Sequence, residues 1–109
     1  MSLRLRKYGP LLRWLYKAKP SSAKAIIKTG DKELMKILSE CSLNVLKGVV
    51  PLKGIQRSRL KKYKNNLRTL SKRKISCSRK KALLQKGGFL KALLGPILGV
   101  LGGILGLNG

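Results

Sequence analysis

Residues Asp31 to Lys74 read DKELMKILSECSLNVLKGVVPLKGIQRSRLKKYKNNLRTLSKRK, and the fold is decided there. Asp31 has the short carboxylate that caps a first helical turn, and Glu33 in that turn suits the positive end of the helix dipole. Leu34, Ile37, Leu38, Cys41, Val45 and Leu46 then follow mainly at three- and four-residue steps, the signature of one buried helical face. Gly48 supplies a stop, and Pro51 prevents the helix from continuing. A second seam, Leu60, Tyr63, Leu67 and Leu70, lies at i, i+3, i+7 and i+10 and is predicted to pack on the first. Around it the surface is basic: Arg57, Arg59, Lys61, Lys62, Lys64, Arg68, Lys72, Arg73 and Lys74, interspersed with Gln56, Asn65 and Asn66. A helix, a short Gly/Pro turn and a cationic helix have the layout of a helix-turn-helix module.

The fold class expected is all-α: a small helical bundle with a helix-turn-helix-like pair, basic helices and a Gly-rich apolar C-terminal tail. No segment alternates as a strand does. Helices are predicted over 11–17, 22–28, 32–47, 53–70 and 78–86, with a broken helix over 89–105. Ser21 or Ser22 would cap the second of these and Gly30 would end it, while Ser76 or Ser78 would cap the helix carrying Arg79, Lys80 and Lys81. The chain reads as a basic aromatic arm (1–20), a small basic helical domain (21–86) and an apolar tail (87–109), the last boundary set by Gly87 and Gly88.

Charge sharpens this division. The 109 residues include 26 Lys or Arg, 3 Asp or Glu and no His, a net charge of +23. Fourteen of the cations fall within residues 53–86, which contain no acid, whereas residues 87–109 have only Lys91. Such a block raises the cost of folding unless it meets a polyanion. With no His and just three carboxylates, there is little from which to assemble a general acid/base pair, a triad or a hard-metal site, so no enzyme activity, cofactor or metal is expected. Glu33 and Glu40 are placed to pair weakly with Lys36 along one helix. Cys41 is expected to be a buried free thiol and Cys77 an exposed one.

Two flanks remain. The leader, MSLRLRKYGPLLRWLYKAKP, puts Leu11, Leu12 and Leu15 on one side of a short helix from Pro10, opposite Arg13 and Lys17. It reads as a flexible arm that clings to phosphate or as an interface-seeking segment; being basic and acid-free, it also has the character of a mitochondrial presequence. The tail, FLKALLGPILGVLGGILGLNG, runs from residue 92 to 107 without charge, and Gly95/Gly99, Gly99/Gly103 and Gly102/Gly106 make three overlapping GxxxG spacings. These favour close helix approach in lipid. Phe89, Leu90, Leu93, Leu94, Gly95, Ile97, Leu98, Gly99, Gly103 and Ile104 are accordingly the candidate membrane or self-association residues, with folding back onto the core as the competing reading.

In this order, NVLKGVVPL (Asn44–Leu52), LKKYKNNLRTL (Leu60–Leu70) and QKGGFLKALLGPILGVLGG from Gln85 resemble the short basic proteins of Polinton/Maverick DNA transposons and the related adintoviruses, over residues 40–103. The family carries Ser or Thr after the Pro-Leu pair, where this chain has Lys53. The resemblance implies an accessory role in a virion and host nucleus, by analogy with the basic core proteins and membrane-lytic minor proteins of adenoviruses.

Three functional readings follow. The favoured one is nonspecific binding and condensation of nucleic acid, double-stranded DNA foremost, through Arg57, Arg59, Lys61, Lys62, Lys64, Arg68, Lys72, Arg73, Lys74, Arg79, Lys80 and Lys81, with the tail attaching to capsid or membrane. The second is a membrane-active protein recruited to anionic lipid by its cations. The third is an organellar or ribosomal-type RNA-binding protein whose leader targets it to mitochondria.

Overall fold

The computed structural model describes residues 3–86 and 88–105, with side chains as far as Leu101. Among these the chain forms eight α-helices and no strand: α1 (Leu3–Lys7), α2 (Gly9–Lys17), α3 (Pro20–Thr29), α4 (Lys32–Leu46), α5 (Gly54–Lys61), α6 (Lys64–Ser71), α7 (Cys77–Leu84) and α8 (Phe89–Leu105). The expected all-α bundle is therefore what the sequence builds. Gly87 and Gly106, on which the double-glycine boundary and the third small-residue spacing depend, lie outside the described residues.

Local chemistry accounts for most of the helix ends. The Leu34 N–H donates to Asp31 Oδ1 at 2.9 Å, so the carboxylate caps α4 as its position predicts. At the other end Gly48 adopts φ +75°; its N–H donates to Val45 O and that of Val49 to Asn44 O, the paired bonds of a Schellman stop. Ser76 caps α7 by accepting from the Arg79 N–H at 3.2 Å. By contrast, α3 starts two residues earlier than predicted. Pro20 occupies its first turn, which needs no N–H, and Lys19 sits at the cap position, so neither Ser21 nor Ser22 caps it. Helix α5 begins after Lys53 without a side-chain cap of its own residue; the Lys53 N–H instead donates to Gln56 Oε1 at 3.0 Å.

Gly48 and Gly88 (φ +83°) are the described residues with left-handed backbone, and they set up one prediction. A Cβ at Gly48 meets nothing within 4 Å, so Gly48→Ala should lose only the conformational term, about 1–2 kcal/mol. At Gly88 a Cβ would lie 2.9 Å from the Tyr63 hydroxyl, whose ring is held against Phe89. Gly88→Ala should therefore lower the urea midpoint further than Gly48→Ala does.

The continuous helix expected over 53–70 is two helices, and the packing supplies the reason. Leu60 from α5 faces α8, whereas Leu67 and Leu70 from α6 face α4. A straight helix cannot point one seam at both. The turn at Lys62 and Tyr63 re-aims it, with the Tyr63 N–H bonded to Leu60 O and the Tyr63 ring packed on Phe89 at a centroid distance of 5.3 Å.

One buried cluster joins the stripe of α4 to residues from both ends of the chain. Leu5, Leu12 and Leu15 are fully buried in it, which corrects the reading of residues 1–20 as a flexible arm. From α8, Phe89, Leu90, Leu93, Leu94, Ile97 and Leu101 enter the same cluster. Helix α8 is unbroken although it contains Pro96, and it packs mainly on α2, α5 and α4. The Tyr16 ring would lie 3.7 Å from a Cβ at Gly95, ordinary van der Waals distance, so α2 covers this position from within the chain. The described part of the tail is thus a core-forming helix of the bundle. Its burial comes from an apolar stripe at four-residue steps that the glycine spacings obscured.

Candidate nucleic-acid interface

Leu60 of α5, Leu67 and Leu70 of α6 and Leu84 of α7 are drawn inward, although Ile55 of α5 stays exposed, and most cations of these helices are left outside. Arg57, Arg59 and Lys61 on α5, Lys62 at the break, Lys64 and Arg68 on α6, Lys72, Arg73 and Lys74 in the following loop and Arg79 on α7 are all exposed. An ion pair among the described residues, Arg4 Nε to Glu33 Oε1 at 3.3 Å, uses none of them. It also corrects the expected pairing of Glu33 with Lys36: α1 and α4 pack together and bring Arg4 to the carboxylate. Residues 41–109 hold no acid at all, so every carboxylate of the chain sits on or at the start of α4.

Two of the twelve predicted contact residues are committed elsewhere. Lys81 is half-buried, and its Nζ donates to Lys28 O at 3.1 Å, a cation on the C-terminal carbonyls of α3. Lys80 is buried, 7% exposed, with Nζ donating to Ser39 Oγ at 2.9 Å. Burial pulls its pKa below the ordinary lysine value. Neither belongs to an outward phosphate-binding face. The sequence did carry a signal for Lys80: Cys77, Lys80 and Leu84 are spaced i, i+3, i+7, so the lysine occupies the inward stripe of α7.

The side chain of Gln56 is taken up in the start of α5, which removes one candidate base-reading group. Ser42 is another residue that the sequence reading passed over. It is fully buried on α4, and its hydroxyl donates to Leu67 O at 2.6 Å, tying α4 to α6 and fixing how the basic helix pair is presented.

The candidate membrane surface is distributed differently from the expectation. Phe89, Leu90, Leu93, Leu94 and Ile97 are buried, Gly95 and Leu98 half-buried and Gly99 exposed, while the side-chain surroundings of Gly103 and Ile104 lie outside the described residues. From Phe89 to Gly99 these residues do not form an outward apolar face. No single helix among the described residues is long and apolar enough to cross a membrane. Cys41 is a buried free thiol as expected, its pKa pushed up by burial, and Cys77 is free and half-buried rather than exposed.

No family model matches the chain, and neither do the curated proteins or the solved structures with which it was compared.

Proposed function

We propose that the chain is a nonspecific nucleic-acid-binding protein whose α5–α7 surface grips phosphate, with double-stranded DNA as the favoured partner. The observation that carries the proposal is the set of ten exposed cations from Arg57 to Arg79, in a segment with no carboxylate to neutralise them. The long dimension of the body is 33 Å. A duplex of that length carries roughly 20 phosphates, so engaging six to eight of them asks only that one face of the protein lie along the backbone. An exposed array of Lys and Arg holds phosphates without reading base edges.

The resemblance to the short basic proteins of Polinton/Maverick transposons and adintoviruses supports a DNA-packaging context for the same chemistry. Attachment to a capsid or membrane through the tail would require α8 to leave the core, so DNA binding is proposed as a property of the folded bundle with α8 inside it.

The test is a salt titration of binding to two unrelated duplexes, followed by fluorescence anisotropy. The plot of log affinity against log salt should have a slope of roughly −5 to −7, with little difference between the duplexes. A slope shallower than about −3, or a strong preference for one sequence, would overturn the proposal. Tighter binding to structured RNA than to either duplex would favour the RNA-binding alternative.

A further inference from the structure

Lys80 presents a problem that the outward basic surface does not. The residue is 7% exposed and its ammonium is part-buried, a placement that is costly unless something compensates the charge. Here its partner is the Ser39 hydroxyl, which is neutral and already donates to Met35 O at 2.7 Å. The ion pair among the described residues, Arg4 with Glu33, does not reach it. An ammonium has three donors, and one is accounted for.

Lys80 opens onto a cleft of about 550 Å³ whose walls also carry Arg4, Lys36, Arg73, Ser39 and Glu40. Four cations thus converge from α1, α4, the α6–α7 loop and α7. If Glu40 in the cleft and Glu33 on Arg4 are both counted against them, two net positive charges remain. The volume falls in the range of pockets that hold nucleotide-sized ligands. A second phosphate-binding arrangement, meeting the outward basic surface at Arg73, follows from these features together: concavity, converging cations and a part-buried ammonium bonded to a neutral hydroxyl.

We infer that this cleft is a discrete site for a phosphate group carrying two or more negative charges, with Lys80 at its base and Arg4, Lys36 and Arg73 around its mouth. Such a group would supply the counter-charge that Lys80 lacks and accept its remaining N–H donors. It could be borne by a free small molecule or by the terminal phosphate of a nucleic-acid strand; the chemistry recognised is the same.

Tripolyphosphate is the probe for the first source, titrated calorimetrically into the full chain at 150 mM salt to suppress diffuse attraction. One saturable site is expected, weakened at least tenfold in Lys80→Met and less than twofold in Lys62→Met, which removes an exposed cation from the α5–α6 break. Lys80→Met should keep or raise the melting temperature, because replacing a buried charge by an apolar chain of similar length is often neutral or stabilising. Should that variant fail to fold, the doubly substituted Lys36→Gln/Arg73→Gln, which changes only exposed residues, must show the same tenfold loss. For the second source, a short duplex with a 5′-phosphate should outcompete its 5′-hydroxyl counterpart in displacing the probe. Equal displacement by the two duplexes assigns the site to the free small molecule. Diffuse binding with several equivalent sites, or equal losses in Lys80→Met and Lys62→Met, would overturn the inference. Long-duplex binding that survives Lys80→Met separates this outcome from failure of the proposed nucleic-acid function.

Discussion

A chain ending at Lys86 is expected to lose its cooperative thermal transition and most of its native helical circular dichroism. The deletion removes Phe89, Leu90, Leu93, Leu94, Ile97 and Leu101, all buried in the cluster that joins α2, α4 and α5. Fully burying side chains of this kind contributes about 1.5–3 kcal/mol each, so the six together supply about 9–18 kcal/mol of gross transfer free energy. The net stability of a small domain is about 5–15 kcal/mol, and this one must also hold +23 in a body with extents of 33 × 25 × 25 Å. The remaining helices would keep their charges and lose the surface that holds them together. A truncated chain that still melted cooperatively near the full-length temperature would show that α8 is dispensable. The expectation also governs how the function is tested, since DNA binding lost on truncation would report unfolding as readily as a missing contact.

Replacing Arg57, Arg59, Lys61, Lys62 and Lys64 together by Gln should weaken duplex binding by roughly three to four orders of magnitude near physiological salt. Each phosphate contact contributes about 0.9 to the log-log salt slope, so five lost contacts reduce its magnitude by roughly 4–5. All five residues are exposed, and the buried Leu60 between them is untouched. Folding should not suffer, because removing five like charges relieves repulsion; the melting temperature is expected to stay level or rise. The two readouts therefore move in opposite directions, which a general loss of structure cannot imitate. If affinity fell less than about tenfold, phosphate binding would have to rest on other cations, those from Arg68 to Arg79 or those of the first 50 residues.

These two expectations concern the two ends of one energetic balance. Folding gathers the apolar residues of both termini around α4, and that same gathering spreads an acid-free run of Lys and Arg over the outside. A bound polyanion stabilises the folded form by mass action, so occupancy by DNA and thermal stability should be coupled.

The elements that were legible before the structure are those controlled by local chemistry. Asp31, Gly48 and Ser76 mark helix ends because each satisfies backbone groups within a few residues of itself. The stripes of α4 and of Leu60, Leu67 and Leu70 follow from helical periodicity, and the exposure of Arg57 to Lys64 follows from those stripes. The all-α class and the exposure of ten of the twelve cations were in this sense written in the chain.

What needed the tertiary structure was every choice of partner. Composition alone cannot say whether an apolar glycine-rich helix meets lipid, another protein or its own chain, because the transfer of its side chains from water is favourable in all three. For the described residues of α8 the folded chain itself covers the stripe, with Phe89, Leu93, Leu94 and Ile97 fully buried in the common cluster. Likewise Glu33 could reach Lys36 along its own helix, but the approach of α1 gave it Arg4. Lys80 became a buried charge only because α7 turns that face toward α4. The sequence by itself determined the helices and the sign of their surfaces, since both depend on neighbours three or four residues away. Tertiary packing decided which apolar face closes on which, and with it where the cations converge.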